Sequence, residues 1–584
     1  MIEGYNSIFP LMEGEIELLY NLICMRLCQS VTFSAYQQTL EPENEYLKIS
    51  ENKAWESLFK LRGINPNYAQ YAFRKACNLD PHPYVNELVE LLETNQNQIY
   101  PILKDEISTK SHMVFDLSIG SLEIDTFEGL IDEKQVIAHI YRSLKEAKKE
   151  IGIGRYNEAR IYKIKTQTNT FDNPTIHLGI DLFLKPKTPI YAPFEGTLTS
   201  IKQDKSPTNT IYAIILEHLI GDKKLKFFTL YKNLDGETAK ELQLGKKINK
   251  GELLGYVRKI ENFAIPLSYV HFQISVDLLD DVDSFPSSIN AHKKKLWLSL
   301  CPDPNVLLKI PQKSFPSIPL KSDRILEIRE KQLGKSLSIS YQTPLKIVKG
   351  YMQYLFDQNG FSYLDAVNNV PHVGHCHPEV TRALHRQASV LNTNSRYLHD
   401  NIVKYAEELC KMLPEPLNVC FFVNSGSEAN ELALRLARTH TNQHDVIVLD
   451  YAYHGITGEL VNISPYKHNG PGGKGAPSYV HTADMPDLYR GVYKIDDPDA
   501  GKKYAAQINS LLSDIKEKGK GIAAFISESL PGVGGQIMFP DNYLREVYAS
   551  IRKNGGVCIA DEVQVGFGRV GSRFWGFELQ NVIP

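Results

Sequence analysis

The sequence predicts a multidomain chain in which an α-helical segment is followed by a β-rich domain and then by an α/β domain. Three observations carry this. From Glu13 to Ser30, Ile16, Leu19, Ile23 and Leu27 recur at helical spacing and are expected to form a core stripe. In the middle, runs such as Ile211-Tyr-Ala-Ile-Ile-Leu216 and Tyr269-Val-His-Phe-Gln-Ile-Ser275 alternate and are separated by glycine turns, which predicts a compact β domain. Toward the end, Val446-Ile-Val-Leu449, Ile522-Ala-Ala-Phe-Ile-Ser527 and Gly556-Val-Cys-Ile-Ala560 are short apolar runs of parallel-strand type.

Along the chain, residues 1–83 read as helical and 84–173 as a connector with helical character around Glu133 to Lys149. The β domain occupies 174–301. Residues 302–322 form a linker, because Pro302-Asp-Pro304 and the proline-spaced stretch Pro311 to Pro319 make a stiff extended spacer. The last domain, 323–584, opens with a helix over Asp323 to Lys335. A length of 584 residues accommodates about three to five domains. A net charge of −3 and a pI near 6.6 give no pull toward nucleic acid or an anionic membrane, and His292-Lys-Lys-Lys295 reads as solvated surface. The eight cysteines include no Cys-x-x-Cys pair, and Cys24 and Cys28 lie one helical turn apart in an apolar stripe. Reduced thiols in a cytoplasmic protein are expected. No run of roughly 18 apolar residues occurs, and Met1-Ile-Glu-Gly-Tyr-Asn has no basic region ahead of an apolar stretch.

The last domain carries the densest chemistry. Val419-Cys-Phe-Phe-Val423 reads as a buried strand, followed by a helix with Ala429, Leu432, Ala433, Leu436 and Ala437 on one face. Ser425-Gly426-Ser427 then sits at a helix N-terminus, where free N–H groups, the helix dipole and serine hydroxyls suit a phosphate. Glu528 and Asp561 fall at strand C-terminal ends, the edge where open α/β sheets bind ligands. A carboxylate there suits a pyridinium proton, and Gln564 a ring hydroxyl. Tyr453-His454-Gly455 follows another strand and offers an aromatic face for stacking.

Asn424 to Glu431, Tyr453 to Gly455, Asp561-Glu-Val-Gln564 and Gly566-Phe-Gly-Arg569 resemble the class III aminotransferase family of pyridoxal-phosphate enzymes, over roughly Leu337 to Pro584. The resemblance implies the large domain of the PLP-transferase (fold type I) architecture. It also implies Ser425, Gly426 and Ser427 on the cofactor phosphate, Tyr453 stacked on the ring, Asp561 on the pyridine nitrogen and Gln564 near the ring hydroxyl, with His454 and Glu528 beside them. More narrowly, Leu337-Ser-Ile-Ser-Tyr341, Asn368 to Pro378 and Asn392 to Asp400 resemble the phospho-lyase branch, which acts on ethanolamine phosphate or phosphohydroxylysine. Such an enzyme removes a proton from the amine-bearing carbon and expels the neighbouring phosphate, with the cofactor ring as electron sink. An ordinary ω-type transaminase stays open as the alternative. The family also implies a homodimer with its active site at the subunit interface. Its Schiff-base lysine lies a few tens of residues beyond the Asp-Glu-Val-Gln motif, whereas Val565 to Pro584 contain no lysine. The expectation is an incomplete domain, belonging to a fragment of a longer polypeptide, with a natural pseudoenzyme as the alternative.

In the middle domain, His177, Asp181 and His271 make a two-His-one-carboxylate set suited to a tetrahedral zinc with one open position. Their order and flanks, from Thr175-Ile-His-Leu-Gly-Ile-Asp-Leu182 to Tyr269-Val-His271, resemble the lysostaphin-type (LytM-like) zinc peptidases over about Ile176 to Asp280. Two positions depart from that pattern: Asn233 and Tyr269 stand where the family has catalytic histidines. A phenol is a poor base near neutral pH, its ordinary pKa being about 10. Metal binding without efficient peptide hydrolysis is expected. Gly4-Tyr5 through Pro83, with Arg26-Leu-Cys-Gln-Ser30 and Asn65-Pro-Asn-Tyr68, resembles the C-terminal helical tail of an aminoglycoside-phosphotransferase-like kinase, without that family's catalytic loop. The resulting expectations are a pyridoxal-phosphate enzyme acting on a small-molecule amine or phospho-amine with a zinc-type accessory domain, a scaffolding protein of degraded catalytic domains, or an active zinc peptidase.

Overall fold

A computed structural model describes residues 1–584 except 96–97, 105–106, 108–110, 125–126, 162–172, 207–208, 237–241, 261–262, 282–284, 317–318 and 369. Residues 317–318 of the proline-spaced stretch and Asn369 of the Asn368 to Pro378 motif thus lie outside the described residues. The chain divides into two units, 1–388 and 389–584.

After a short helix at Ile2–Asn6, the first unit continues with helices α1 (Glu13–Leu40), α2 (Tyr46–Arg62), α3 (Pro66–Ala76) and α4 (Val85–Thr94). Pro66 at the first position of α3 and Asn65, whose side chain accepts from the Tyr68 amide at 3.1 Å, fix where that helix starts. In α1 the expected stripe is only partly interior: Ile16 is buried, Leu19, Ile23 and Leu27 are half-buried, and Leu18, Leu22 and Met25 face outward. Leucines on every side of this helix blur its helical periodicity.

Beyond α4 lie β1 (His112–Phe115), α5 (Glu133–Glu146), β2 (Ile151–Gly154), β3 (Ile180–Leu184), β4 (Gly196–Ser206), β5 (Asn209–Ile220), β6 (Leu225–Leu234), β7 (Lys247–Ile248) and β8 (Ser268–Ser275). They form one eight-stranded sheet in the order β1-β2-β3-β8-β6-β5-β4-β7. Only β1 and β2 pair in parallel; every other neighbour is antiparallel. Two strands of this sheet thus come from residues that the sequence assigns to a connector. All of β8 is buried, so the central strand is packed on both faces. Val136, Ile137, Ile140 and Leu144 of α5 are buried, and a Cβ on Gly152 of β2 would lie 3.0 Å from the Ile140 side chain. Close helix-on-strand packing therefore requires a glycine there. A small antiparallel sheet of β9 (Ile347–Tyr351), β10 (Tyr354–Asp357) and β11 (Ser362–Leu364) also belongs to this unit.

The second unit contains α6 (Asp400–Lys411), α7 (Gly426–Thr441), β12 (Asp445–Leu449), β13 (Val480–Ala483), α8 (Ala500–Glu517), β14 (Ile522–Glu528), α9 (Tyr543–Lys553) and β15 (Val557–Asp561). Its sheet is wholly parallel, in the order β13-β12-β14-β15. Alternate strand residues serve two cores: Ile447, Leu449 and Phe525 pack with α8 and α9, while Val446, Val448, Ala524 and Ile526 pack with Leu434 and Ala437 of α7. That two-sided burial makes the strands read as continuous apolar runs.

Two expectations about this unit are corrected. Val419 to Val423 is not a buried strand: Val419 is 75% and Phe421 62% exposed, and among the described residues no strand pairs with the segment. Apolar side chains alone do not make a strand without a neighbour to complete its ladder. The buried face of α7 consists of Asn430, Leu434 and Ala437, whereas Ala429 and Leu436 are exposed. On that face the Asn430 amide meets buried acceptors, the His454 carbonyl and Asp561, which apolar periodicity does not register.

Candidate functional site

The site of the second unit lies at the C-terminal edge of its sheet. Ser425 caps α7, its Oγ accepting from the Glu428 amide at 3.1 Å, while Glu428 Oε2 accepts from the Asn424 amide at 2.6 Å. The first amides of α7, those of Gly426 and Ser427, have no carbonyl within their own helix and lie on the wall of a cavity of about 220 Å³. The same cavity is lined by Tyr453, His454, Gly455, Glu528, Asp561 and Gln564. Glu528 and Asp561 are register partners on β14 and β15, which brings two carboxylates to one edge.

Asp561 is 5% exposed and fully engaged. Its Oδ2 accepts from the Asn430 amide and from His454 Nδ1, both at 2.8 Å, and its Oδ1 accepts from the Val563 amide at 3.2 Å. Asn430 also donates to the His454 carbonyl at 3.0 Å. Since a carboxylate accepts, the His454 proton sits on Nδ1, and its Nε2 is buried without a partner. Glu528 accepts from the Gly532 amide at 3.0 Å, and burial pushes its carboxyl above the usual range. Tyr453 is half-buried, and Lys467 Nζ lies 5.6 Å from its ring centroid.

The donor set fits a pyridoxal phosphate. An anion cup stands at a helix N-terminus and a hydrogen-bonded carboxylate lies on the same cavity wall. Glycine is needed at the cup: a Cβ on Gly426 would fall 2.6 Å from Val563 Cγ2, and one on Gly455, whose φ is +143°, would fall 2.5 Å from Ser427 Oγ. Sequence reasoning gave Asn430 no role. It lies within the Asn424 to Glu431 motif, one turn beyond Gly426, on a helix otherwise read by its apolar positions.

The site of the first unit gathers His177, Asp181 and His271, all buried. His271 and Asp181 face each other across β8 and β3, and His177 precedes Asp181 by one short turn. His177 Nε2 lies 3.0 Å from His271 Nδ1 and 3.3 Å from Asp181 Oδ1, which lies 2.9 Å from His271 Nδ1. The outward nitrogens are committed as donors, His177 Nδ1 to the Arg155 carbonyl and His271 Nε2 to Gln273 Oε1, each at 3.0 Å. The inward atoms are therefore three lone-pair acceptors facing one point, an arrangement that fits a divalent cation. Burial alone would raise the Asp181 carboxyl, but His177 and Arg160 hold it well below the usual range.

Tyr269 lies two residues before His271 on the same strand face, and its Oη donates to Glu133 Oε1 at 2.7 Å while its side chain also hydrogen-bonds Asn233. Asn233 itself adopts a left-handed backbone, φ +71°. The two positions where the LytM-like pattern has histidines are thus in mutual contact. Sequence reasoning missed Glu133, on α5, and the Arg155, Glu158 and Arg160 side chains around Asp181; none stands at a diagnostic spacing from the histidines.

With this geometry in place, comparison with known proteins defines two domains. Residues 338–584 match the family model Aminotransferase class-III, and residues 175–283 match Peptidase family M23. The chain carries a class III aminotransferase domain and an M23 peptidase domain. It is similar to the Drosophila melanogaster alanine–glyoxylate aminotransferase 2-like protein, 53% identical over 269 residues, 45% of this chain and 54% of that protein. It is also similar to ethanolamine-phosphate phospho-lyase homolog 1 of Caenorhabditis elegans, 38% identical over 267 residues, 44% of this chain and 57% of that protein. The human mitochondrial alanine–glyoxylate aminotransferase 2 is 40% identical over 286 residues, 45% of this chain and 54% of that protein. The chain spans about half the length of these curated relatives. Class III aminotransferases bind pyridoxal phosphate and act on small-molecule amines. Among the described residues, no helix is long and apolar enough to cross a membrane.

Proposed function

We propose that residues 338–584 belong to a pyridoxal-phosphate enzyme that eliminates phosphate from a phosphorylated amino alcohol or amino acid. The observation that carries the cofactor assignment is the single cavity wall holding both the helix N-terminus at Ser425 to Ser427 and the engaged carboxylate of Asp561. Ser427 and the first amides of α7 would hold the cofactor phosphate, Tyr453 would cover the ring, Asp561 would hold the pyridine proton, and Gln564 would face the ring hydroxyl. When bound, pyridoxal phosphate supplies an electron sink for a carbon next to the substrate amine. The chain's own contribution is orientation. Asn430 and His454 fix one Asp561 oxygen and the Val563 amide the other, so the carboxylate cannot rotate away from a ring nitrogen.

The phospho-lyase branch is supported by the Asn368 to Pro378 and Asn392 to Asp400 motifs and by similarity to the Caenorhabditis elegans protein. The likeness to alanine–glyoxylate aminotransferases favours transamination as the second reading. One assay, on a form of the protein that includes the family's Schiff-base lysine, separates them: phosphoethanolamine with added pyridoxal phosphate, read as released inorganic phosphate, against amino transfer from alanine to glyoxylate. Phosphate release without amino transfer supports the lyase, and the reverse supports the transaminase. If a form of the protein that includes the family's Schiff-base lysine fails to bind pyridoxal phosphate, both readings fail.

In the same proposal the M23 domain holds zinc through His177, Asp181 and His271 as an accessory, with peptide hydrolysis weak because Tyr269 and Asn233 replace histidines. The helical segment 1–83 is proposed as the tail of a phosphotransferase-like kinase on its Arg26 to Ser30 and Asn65 to Tyr68 motifs, the enzyme as a homodimer, and the location as cytoplasmic.

A further inference from the structure

The residues matching the M23 family begin at 175, yet much of what fixes the triad comes from Arg155-Tyr-Asn-Glu-Ala-Arg160, just after β2. Arg160 Nη1 donates to Asp181 Oδ2 at 2.6 Å, Nε donates to Glu158 Oε2 at 2.7 Å, and Nη2 donates to the Arg155 carbonyl at 3.1 Å. That same carbonyl accepts from His177 Nδ1 at 3.0 Å. Glu158 Oε1 in turn accepts from Arg155 Nε at 2.8 Å and from the Leu117 amide at 2.9 Å, and Arg155 pairs with Asp116. The Arg160, Glu158 and Asp181 side chains are 4%, 2% and 1% exposed. Room for the guanidinium is made by Gly154, the register partner of Asp181, where a Cβ would fall 2.6 Å from Arg160 Nη2.

We propose that Arg160, clamped by Glu158, is a positioning residue of the metal cradle, and this rests on the zinc reading above. A carboxylate with both oxygens free can swing or take a cation with either or both. Here Arg160 occupies Oδ2, so only Oδ1 faces His177 and His271. The planar fork is what allows one side chain to hold Asp181, Glu158 and a backbone carbonyl together, and lysine cannot reproduce it. A buried ion pair is weak evidence for a role in stability, since apolar residues of similar volume often serve as well. What it supplies is direction. Partners of a metal ligand typically change affinity by about 10- to 100-fold when removed.

The test uses the whole chain, loaded with zinc in competition with a chromogenic chelator and separately with cobalt(II), whose visible spectrum reports ligand geometry. R160M is expected to bind zinc about 10- to 100-fold more weakly, and its cobalt bands to shift as Asp181 gains its second oxygen. R160K keeps the charge and loses the fork, and is expected to show the same spectral shift with at least about tenfold weaker binding. E158Q releases the clamp while leaving Arg160 and Asp181 in place, and is expected to move the spectrum in the same direction. Should R160M fail to fold by circular dichroism, R160K and E158Q decide. A purely structural role would lower their melting temperatures and leave the cobalt bands unmoved. Wild-type affinity and spectrum in R160K and E158Q overturn the positioning role. Wild-type protein that takes up neither metal overturns the zinc reading itself.

Discussion

Replacing Asn430 by leucine isolates what its amide does. The two side chains have the same branching and the same number of heavy atoms, so the change opens no cavity, and leucine is the better helix former by about half a kcal/mol. Any loss of stability therefore comes from the hydrogen bonds removed and from fitting two methyl groups where an amide stood. Asn430 Nδ2 donates to Asp561 Oδ2 at 2.8 Å and to the His454 carbonyl at 3.0 Å, with the residue 6% exposed. A hydrogen bond to a charged group contributes about 1.5–3 kcal/mol, and a buried carbonyl left without a donor costs about 1–3 kcal/mol. The two losses share one side chain and do not simply add, so N430L is expected to destabilise its unit by about 2–4 kcal/mol. For a unit of this size each kcal/mol moves the melting temperature by about 2–4 °C, which predicts a drop of about 4–16 °C. Calorimetry of the wild-type and variant chains reads this directly. Pyridoxal-phosphate titration on the same samples should show weaker binding, because an Asp561 held only by His454 and the Val563 amide no longer keeps one orientation. A variant that melts within a degree or two of wild type would refute the idea that Asn430 holds Asp561.

Glu528 makes a prediction about pH. Its carboxyl is raised by burial first and by the nearby Asp561 charge further down. A group whose folded pKa is raised contributes stability that is fully present below its unfolded value of about 4.5 and lost as pH rises through the folded one. E528Q lacks that loss, so its stability relative to wild type should increase as pH rises from 4 toward neutrality, read by denaturant melts; parallel pH profiles would contradict it. Gly426 separates binding from stability. In G426A the new Cβ meets Val563 Cγ2, part of the cavity wall, so pyridoxal-phosphate affinity should fall about tenfold, a difference of about 1.4 kcal/mol, while the melting temperature holds. Trimming the obstruction in G426A/V563A should restore binding, and failure of that rescue would remove the steric account.

How much of this was legible in the sequence depends on what kind of contact each residue makes. Ser425, Glu528 and Asp561 stand at junctions between elements, where strand ends and helix starts leave marks that periodicity detects, and the structure places all three on one cavity wall. His177, Asp181 and His271 were readable because a ligand set has a spacing. Val419 to Val423 was misread because apolarity reports burial and strand pairing indistinguishably, and only a neighbouring ladder tells them apart. The α7 face was misread by about one residue because only its apolar positions were used, and the buried face includes the polar Asn430.

The residues to which sequence reasoning assigned no role of their own share one property: they act on another side chain. Asn430 orients Asp561, Arg160 orients Asp181, and Glu133 takes the proton of the Tyr269 hydrogen bond, each across more than twenty residues of chain or from a different element. Nothing local constrains their spacing, because a side chain that reaches a ligand-holding group needs only to arrive with the right donor, from whichever strand or helix the fold happens to bring near. What the sequence does fix is the cost of leaving them unpaired. Arg160 and Glu158 are buried charged residues just after β2, and a charge buried without a partner is too expensive for a stable fold to keep. An arginine and a glutamate found in the interior therefore announce a partner. In both sites of this chain that partner is a carboxylate, and the effect is the same in kind: the carboxylate is held in one orientation, at Asp181 through Oδ2 alone and at Asp561 through both oxygens.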